Sequence, residues 1–134
     1  MTALTAIEGI GSAYAEKLKA AGVGSLDTLL KAGATAKGRK ELAGATGISD
    51  KLILGWVNRG DLFRINGIGE EYSDLLEKAG VDTVPELAQR NAENLYKKMV
   101  EVNEAEKLVR KLPTQDQVQG WVDSAKSLPR VVEY

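Results

Sequence analysis

Two short segments carry residue types whose spacing could do chemistry. Ile7-Glu8-Gly9-Ile10-Gly11 recurs as Ile65-Asn66-Gly67-Ile68-Gly69. Paired glycines open backbone angles closed to other residues and let chain approach chain, so each segment reads as a very tight connection between two helices. The isoleucine between the glycines points back into the helix pair. Downstream, Tyr14, Leu18 and Ala21 in one copy and Tyr72, Leu76 and Ala79 in the other fall at helical spacing and make a buried stripe. A helix that starts straight after such a turn presents unpaired N–H donors at the positive end of its dipole, which is an arrangement suited to an anion. The competing reading is a packing device without a ligand.

Other chemistry is largely excluded by composition. The 134 residues contain no Cys and no His. That removes disulfides, thiol nucleophiles, thiolate metal sites, the commonest general base and the commonest zinc ligand. Glu101, Glu104 and Glu106 with Asn103 lack the compact loop spacing of a calcium site and read as a solvated helix laced with charge. Neither Gly-x-Gly follows a strand or precedes a third glycine at dinucleotide-binding spacing, and there is no GxxxxGK[ST] phosphate loop. The expectation is no catalytic residue, no metal and no enzyme activity.

The elements that must position these turns come in a repeat. At an offset of 58, Leu4/Leu62, Ile7/Ile65, Gly9/Gly67, Ile10/Ile68, Gly11/Gly69, Tyr14/Tyr72, Leu18/Leu76, Ala21/Ala79, Gly22/Gly80, Val23/Val81 and Leu29/Leu87 are identical. Further on, Gly55-Trp56-Val57 returns as Gly120-Trp121-Val122 at an offset of 65, so the second unit holds about seven extra residues, placed in a longer helix around Glu93–Arg110. Trp56 and Trp121 could offer stacking platforms, but their matching repeat positions favour core. Strand signals are missing. Ser25, Thr35, Ser49, Asn91 and Thr114 suit N-caps, and Thr83 with Glu86 and Thr114 with Gln117 suit capping boxes. Gly22, Gly33, Gly60 and Gly80 suit left-handed C-caps, Pro113 and Pro129 close later segments, and helices of about 8–14 residues must pack to persist.

These residues resemble a known motif. IEGIGSAYAEKL and INGIGEEYSDLL look like helix-hairpin-helix motifs, with Ala15 and Ser73 at the small position and Leu18 and Leu76 at the final apolar one. Taken with RKELAGATGISDKLILGWVNRGDLFRINGIGEEY and LVRKLPTQDQVQGWV, the whole chain is similar to the bacterial tandem helix-hairpin-helix domain catalogued as DUF4332. The resemblance implies an all-α fold of two tandem repeats of short helices, 1–60 and 61–134, each built on helix-hairpin-helix (SAM-like) motifs and packed together as one compact unit. Gly47-Ile48-Ser49 reads as an eroded second turn, with Pro113 at the corresponding place in the second repeat. It also implies DNA binding in which turn amides hold a phosphate, often with a monovalent cation on hairpin carbonyls. Such contacts read no base and are salt-sensitive.

Carried onto this chain, the expected binding residues are Gly9, Ile10, Gly11, Ser12, Ala13 and Lys17, with Lys37, Arg39 and Lys40 within reach. The run Lys37-Gly38-Arg39-Lys40 also fits a solvated helix face. In the second hairpin, Glu70, Glu71 and Asp74 suit the helix dipole and repel a phosphate, so that copy reads as structural. Charge leaves a second class open. Residues 1–60 hold eight Lys/Arg and five Asp/Glu (+3), residues 61–134 ten and fourteen (−4), so copies could associate through oppositely charged halves. The isoelectric point near 5.6 weighs against a dedicated nucleic-acid binder. No apolar run approaches the roughly 18 residues of a membrane span, the start of the chain lacks signal-peptide features, and the expected location is the cytoplasm.

Overall fold

Short polar side chains and glycines mark out most of the architecture. In the computed structural model, which describes residues 3–133, a short 310 turn, Leu4–Ala6, precedes eight α-helices: α1 Ser12–Ala20, α2 Leu26–Gly33, α3 Ala36–Thr46, α4 Asp50–Leu62, α5 Glu70–Lys78, α6 Val84–Ala88, α7 Ala92–Glu106 and α8 Gln115–Ser127. No strand occurs among the described residues. Ser25 caps α2 through a box closed by Thr28, Thr35 caps α3, Asn91 caps α7, and Thr114 with Gln117 forms a capping box at α8. Ser49 Oγ accepts from the Lys51 amide at 3.2 Å just ahead of α4. Each satisfies donors that the helix itself leaves orphaned.

Several expected boundaries are corrected. Thr83 and Glu86 form no capping box, because the Thr83 side chain makes no cap bond and Glu86 Oε2 reaches one residue further back to the Asp82 amide at 3.3 Å. The long helix of the second unit ends at Glu106, with Lys107 left-handed at φ 52°, so it stops short of Arg110. Gly22 and Gly80 end α1 and α5 as expected, and the amides of Val23 and Val81 reach back five residues to Leu18 and Leu76 at 2.8 and 2.9 Å. Gly33 and Gly60 are not caps but contact points. A Cβ on Gly33 would lie 2.5 Å from Val57 Cγ2, and one on Gly60 2.7 Å from Leu26 Cδ1. Their missing side chains let α4 press against α2.

The chain forms two units, residues 3–61 with 131–133, and residues Leu62–Arg130. In the first, α2 and α1 pack on α3 around Leu18, Leu29, Ile53 and Val57, all fully buried. In the second, α6 and α7 pack on α8, and α5 on α7, around Leu76, Leu87, Leu95 and Met99. Glu101, Glu104 and Glu106 lie on the exposed side of α7, where Lys97 pairs with Glu93 at 3.3 Å and Lys98 with Glu101 at 3.9 Å. No helix among the described residues is long and apolar enough to cross a membrane.

The glycine contacts give a paired prediction. Gly33→Ala forces a methyl against the stiff β-branched Val57, and overpacking of this kind costs about 1–3 kcal/mol. Gly55→Ala, in α4 with nothing within 4 Å of its Cβ, should gain about 0.5–1 kcal/mol from helix propensity. Urea unfolding reads both, and a Gly33→Ala protein as stable as the parent would contradict the α2–α4 contact.

Candidate functional site

The first turn is built from the inside outward. Ile7 and Ile10 are buried, at 1% and 4% exposure, and anchor a bend in which the Ile10 amide donates to the Ile7 carbonyl at 3.1 Å. Gly9, between them, holds φ +96°, a left-handed value that strains any residue with a Cβ. Space closes the same position: a Cβ on Gly9 would sit 3.1 Å from Trp56 Nε1. The Trp56 ring in turn packs on Tyr14, with centroids 5.1 Å apart and planes tilted by 57°. Turn, tryptophan and tyrosine thus brace one another across 3–61.

The second turn repeats this geometry closely. Gly67 has φ +93°, the Ile68 amide donates to Ile65 at 3.1 Å, a Gly67 Cβ would lie 3.2 Å from Trp121 Nε1, and Tyr72 packs on Trp121 at 5.1 Å and 52°. Trp56 and Trp121 are 3% and 5% exposed, so both are supports for the turn and not platforms for a base.

What the first turn leaves outward is a set of amides. Gly11 is the N-cap of α1 and supplies no side-chain cap. The first helical bond runs from Ala15 to the Gly11 carbonyl at 3.0 Å. Among the described residues, no acceptor takes the amides of Gly11, Ser12 or Ala13, and all three residues are exposed. These are the orphan donors of a helix start, at the positive end of its dipole. Lys17 is exposed further along α1, its Nζ 6.0 Å from the Tyr14 ring centroid.

Sequence reasoning missed Arg59. Its Nη1 donates to the Glu8 carbonyl at 3.3 Å, which brings a guanidinium from α4 onto the turn. A signal existed: Arg59 stands three residues after Trp56, one helical turn along, and so shares the face that meets Gly9. The exposed Glu8 and Glu16 side chains add opposite charge nearby. In the second copy, Ser124 stands where the repeat would put Arg59, while Glu70 and Glu71 are exposed on the opening turn of α5.

The basic run of α3 divides. Lys37 and Lys40 are exposed. Arg39 is only 5% exposed, and its guanidinium donates to the Gly33 carbonyl at 2.8 Å and the Glu133 carbonyl at 2.8 Å. Arg39 is therefore withdrawn from the surface, correcting its expected place beside Lys37 and Lys40. The reason is local: carbonyls at the end of α2 lack helical partners, and a guanidinium supplies several donors in one plane. Gly38 is packed too, since a Cβ there would strike the Ala32 carbonyl oxygen. No hydrogen bond or ion pair joins the Lys37 or Lys40 side chain to residues 9–13 among the described residues. Lys40 does line a groove of about 240 Å³ with Ala36, Arg39, Asp50, Lys51 and Leu54.

Comparison with protein families gives a match over residues 8–128 to DUF4332, a domain of unknown function. The chain belongs to the DUF4332 family. Comparison of this DUF4332 chain with curated proteins and with solved structures found no match.

Two predictions follow from the charges. Arg39→Leu leaves the Gly33 carbonyl without its partner and releases residue 133. Loss of charge-assisted hydrogen bonds of this kind costs about 2–4 kcal/mol, so the variant should unfold at lower urea, with faster exchange at the Glu133 amide; an unchanged midpoint would show the contact to be idle. In the second unit, burial first, then Glu86 and Glu77, raise the Asp82 pKa above its usual 3.8. The fold thus favours the neutral acid, and this contribution is present below 3.8 and lost as pH rises through the raised value. Asp82→Asn should therefore be more stable than the parent at neutral pH, with the difference closing near pH 3 in parallel urea titrations.

Proposed function

We propose that this DUF4332 chain binds nucleic acid, without sequence preference and without catalysis, through the opening of α1. The observation that carries this reading is the solvent-facing set of amides at Gly11, Ser12 and Ala13, left without acceptors among the described residues. A phosphate seated there would accept from backbone N–H groups at a helix start, a contact indifferent to base identity. Gly9 and Ile10 shape the turn, Lys17 adds charge along α1, and Arg59 adds a guanidinium at the Glu8 carbonyl. Arg59 thereby brings positive charge to the turn itself. Lys37 and Lys40 extend the basic surface along α3.

The repeated turn geometry supports reading the units as two tandem helix-hairpin-helix repeats, with only the front copy binding. The back copy offers carboxylates where the front offers Ser12 and Ala13. The same reading places the protein in the cytoplasm, where its polyanionic partner would be met.

A second reading has its own support in the +3 and −4 halves of the sequence: self-assembly through opposite charge. Titration of a fluorescent duplex at low and moderate salt, with mass followed by light scattering, separates the two. Binding by a monomer that weakens steeply with salt is the expected result. Gly11→Glu should cost about tenfold or more, because it places a carboxylate at the phosphate site. The fold should tolerate it, since Gly11 has φ −88° and nothing within 4 Å of its Cβ. Gly69→Glu, equally free of neighbours in the back copy, should bind like the parent. Absence of binding at low salt, together with salt-sensitive oligomers, would favour assembly instead.

A further inference from the structure

Trp56 has one polar atom, and the described residues give it no partner. The residue is 3% exposed, yet its indole Nε1 has no hydrogen-bond acceptor among the described residues. An indole N–H can only donate, and a donor sealed away without an acceptor is costly. No side-chain polar atom among the described residues is both sealed and unpartnered, so Nε1 reaches solvent. Gly9 shows where. The point a Gly9 Cβ would occupy lies 3.1 Å from Nε1 and 3.8 Å from Trp56 Cδ1, with nothing else within 4 Å apart from the adjoining residues of the turn. Gly9 is itself exposed. The glycine thus leaves an opening through which the edge of a buried ring meets water.

That opening lies on the candidate site. Gly9 and Gly11 are separated by at most about 7 Å of chain, and the bend between Ile7 and Ile10 shortens the path. The open amides begin at Gly11, the N-cap of α1, whereas Trp56 comes from α4. Two elements therefore bring unpartnered donors to one turn. A helix start leaves orphan amides wherever it occurs. A nearly buried indole that turns its single N–H to solvent beside those amides is a separate mark of an acceptor supplied from outside the chain.

We infer that the Trp56 indole N–H is a binding donor, and that it holds an oxygen of the phosphate seated on the α1 amides. This rests on the nucleic-acid reading above and adds a side chain to its site. An oxyanion suits the position because the indole and the amides all donate, and hydrogen bonds to a charged acceptor are the stronger kind. Only the N–H edge is offered, since the ring packs on Tyr14, so the contact reads no base. Gly9 then does more than permit a left-handed φ: a Cβ there would cover Nε1 and shut the phosphate out. The back copy supplies an internal comparison. Trp121 is 5% exposed, its Nε1 lies 3.2 Å from the Gly67 Cβ point, and it too has no acceptor among the described residues. There, however, Glu70 and Glu71 stand on the opening turn of α5 and repel a phosphate.

The test uses the full chain. Its two tryptophans give two indole signals in a nitrogen–proton correlation spectrum, assigned with Trp56→Phe and Trp121→Phe. On titration of the parent with a short duplex at low salt, the Trp56 indole proton should move downfield and exchange more slowly with water. It should do so with the same midpoint as the amides of Gly11, Ser12 and Ala13, while the Trp121 indole stays unchanged. Trp56→Phe keeps an aromatic ring beside Tyr14 but has no N–H. With helix content checked by far-UV circular dichroism, it should bind the duplex about tenfold more weakly by fluorescence anisotropy, the size of one hydrogen bond to a charged group. Trp121→Phe should bind like the parent. If Trp56→Phe does not fold, the parent spectra decide. Shifts at the α1 amides without a response at the Trp56 indole would overturn the indole's role and leave the α1 site standing. An equal shift at Trp121, beside the carboxylates of α5, would also overturn it, by showing a response that needs no phosphate site. No response to duplex at any of these groups would overturn the nucleic-acid reading, and the indole's role with it.

Discussion

The contact between a tryptophan ring and a glycine bend is the constraint on which each unit depends. Gly9 must lack a side chain for two separate reasons: its φ is left-handed, and the Trp56 ring edge fills the space where a Cβ would go. Because Trp56 lies on α4 and the bend lies ahead of α1, one contact ties the two ends of the first unit. The tyrosine of α1 closes the arrangement by packing on the same ring. Buried isoleucines on either side of the glycine then turn the backbone amides outward, because the apolar side chains claim the interior. The second unit reaches the same solution with Gly67, Trp121 and Tyr72. Two copies with little identity outside the motif residues thus converge on nearly equal angles and distances.

This separation of backbone from side chain lets one scaffold display two different surfaces. The interior of the turn is the same in both copies, while the residues displayed at the helix start differ. Ser12 and Ala13 leave the front amides open to an anion. Glu70 and Glu71 supply negative charge of their own at the back, which suits the α5 dipole. Arg59 sharpens the difference by reaching the front turn from α4, where the back copy has Ser124.

The α3 run shows how a surface feature in sequence can become an internal one. Four consecutive residues, Lys37 to Lys40, read as a single basic patch. A helix distributes neighbours about 100° apart, so they cannot all face one way. Lys37 and Lys40, three apart, share the solvent side. Arg39 and Gly38 turn towards the end of α2, where carbonyl groups require donors and where close approach requires a small residue. Periodicity alone could have divided the run, but which side faced inward depended on where α2 ended.

What the sequence determined by itself was local or repeated. The helices, most of their polar caps, the left-handed ends at Gly22 and Gly80, the equivalence of the two turns and the core placement of both tryptophans were legible because each rests on residues a few positions apart or on a 58- or 65-residue echo of the same pattern. Tertiary structure decided the rest. Gly33 and Gly60 read as helix stops from their neighbours alone, and only the approach of α4 makes them contact points. One partner of Arg39 stands 94 positions away, and one of Arg59 51 positions away. Such bonds follow from where the packed helices bring distant backbone carbonyls, which no pattern in the neighbouring residues encodes.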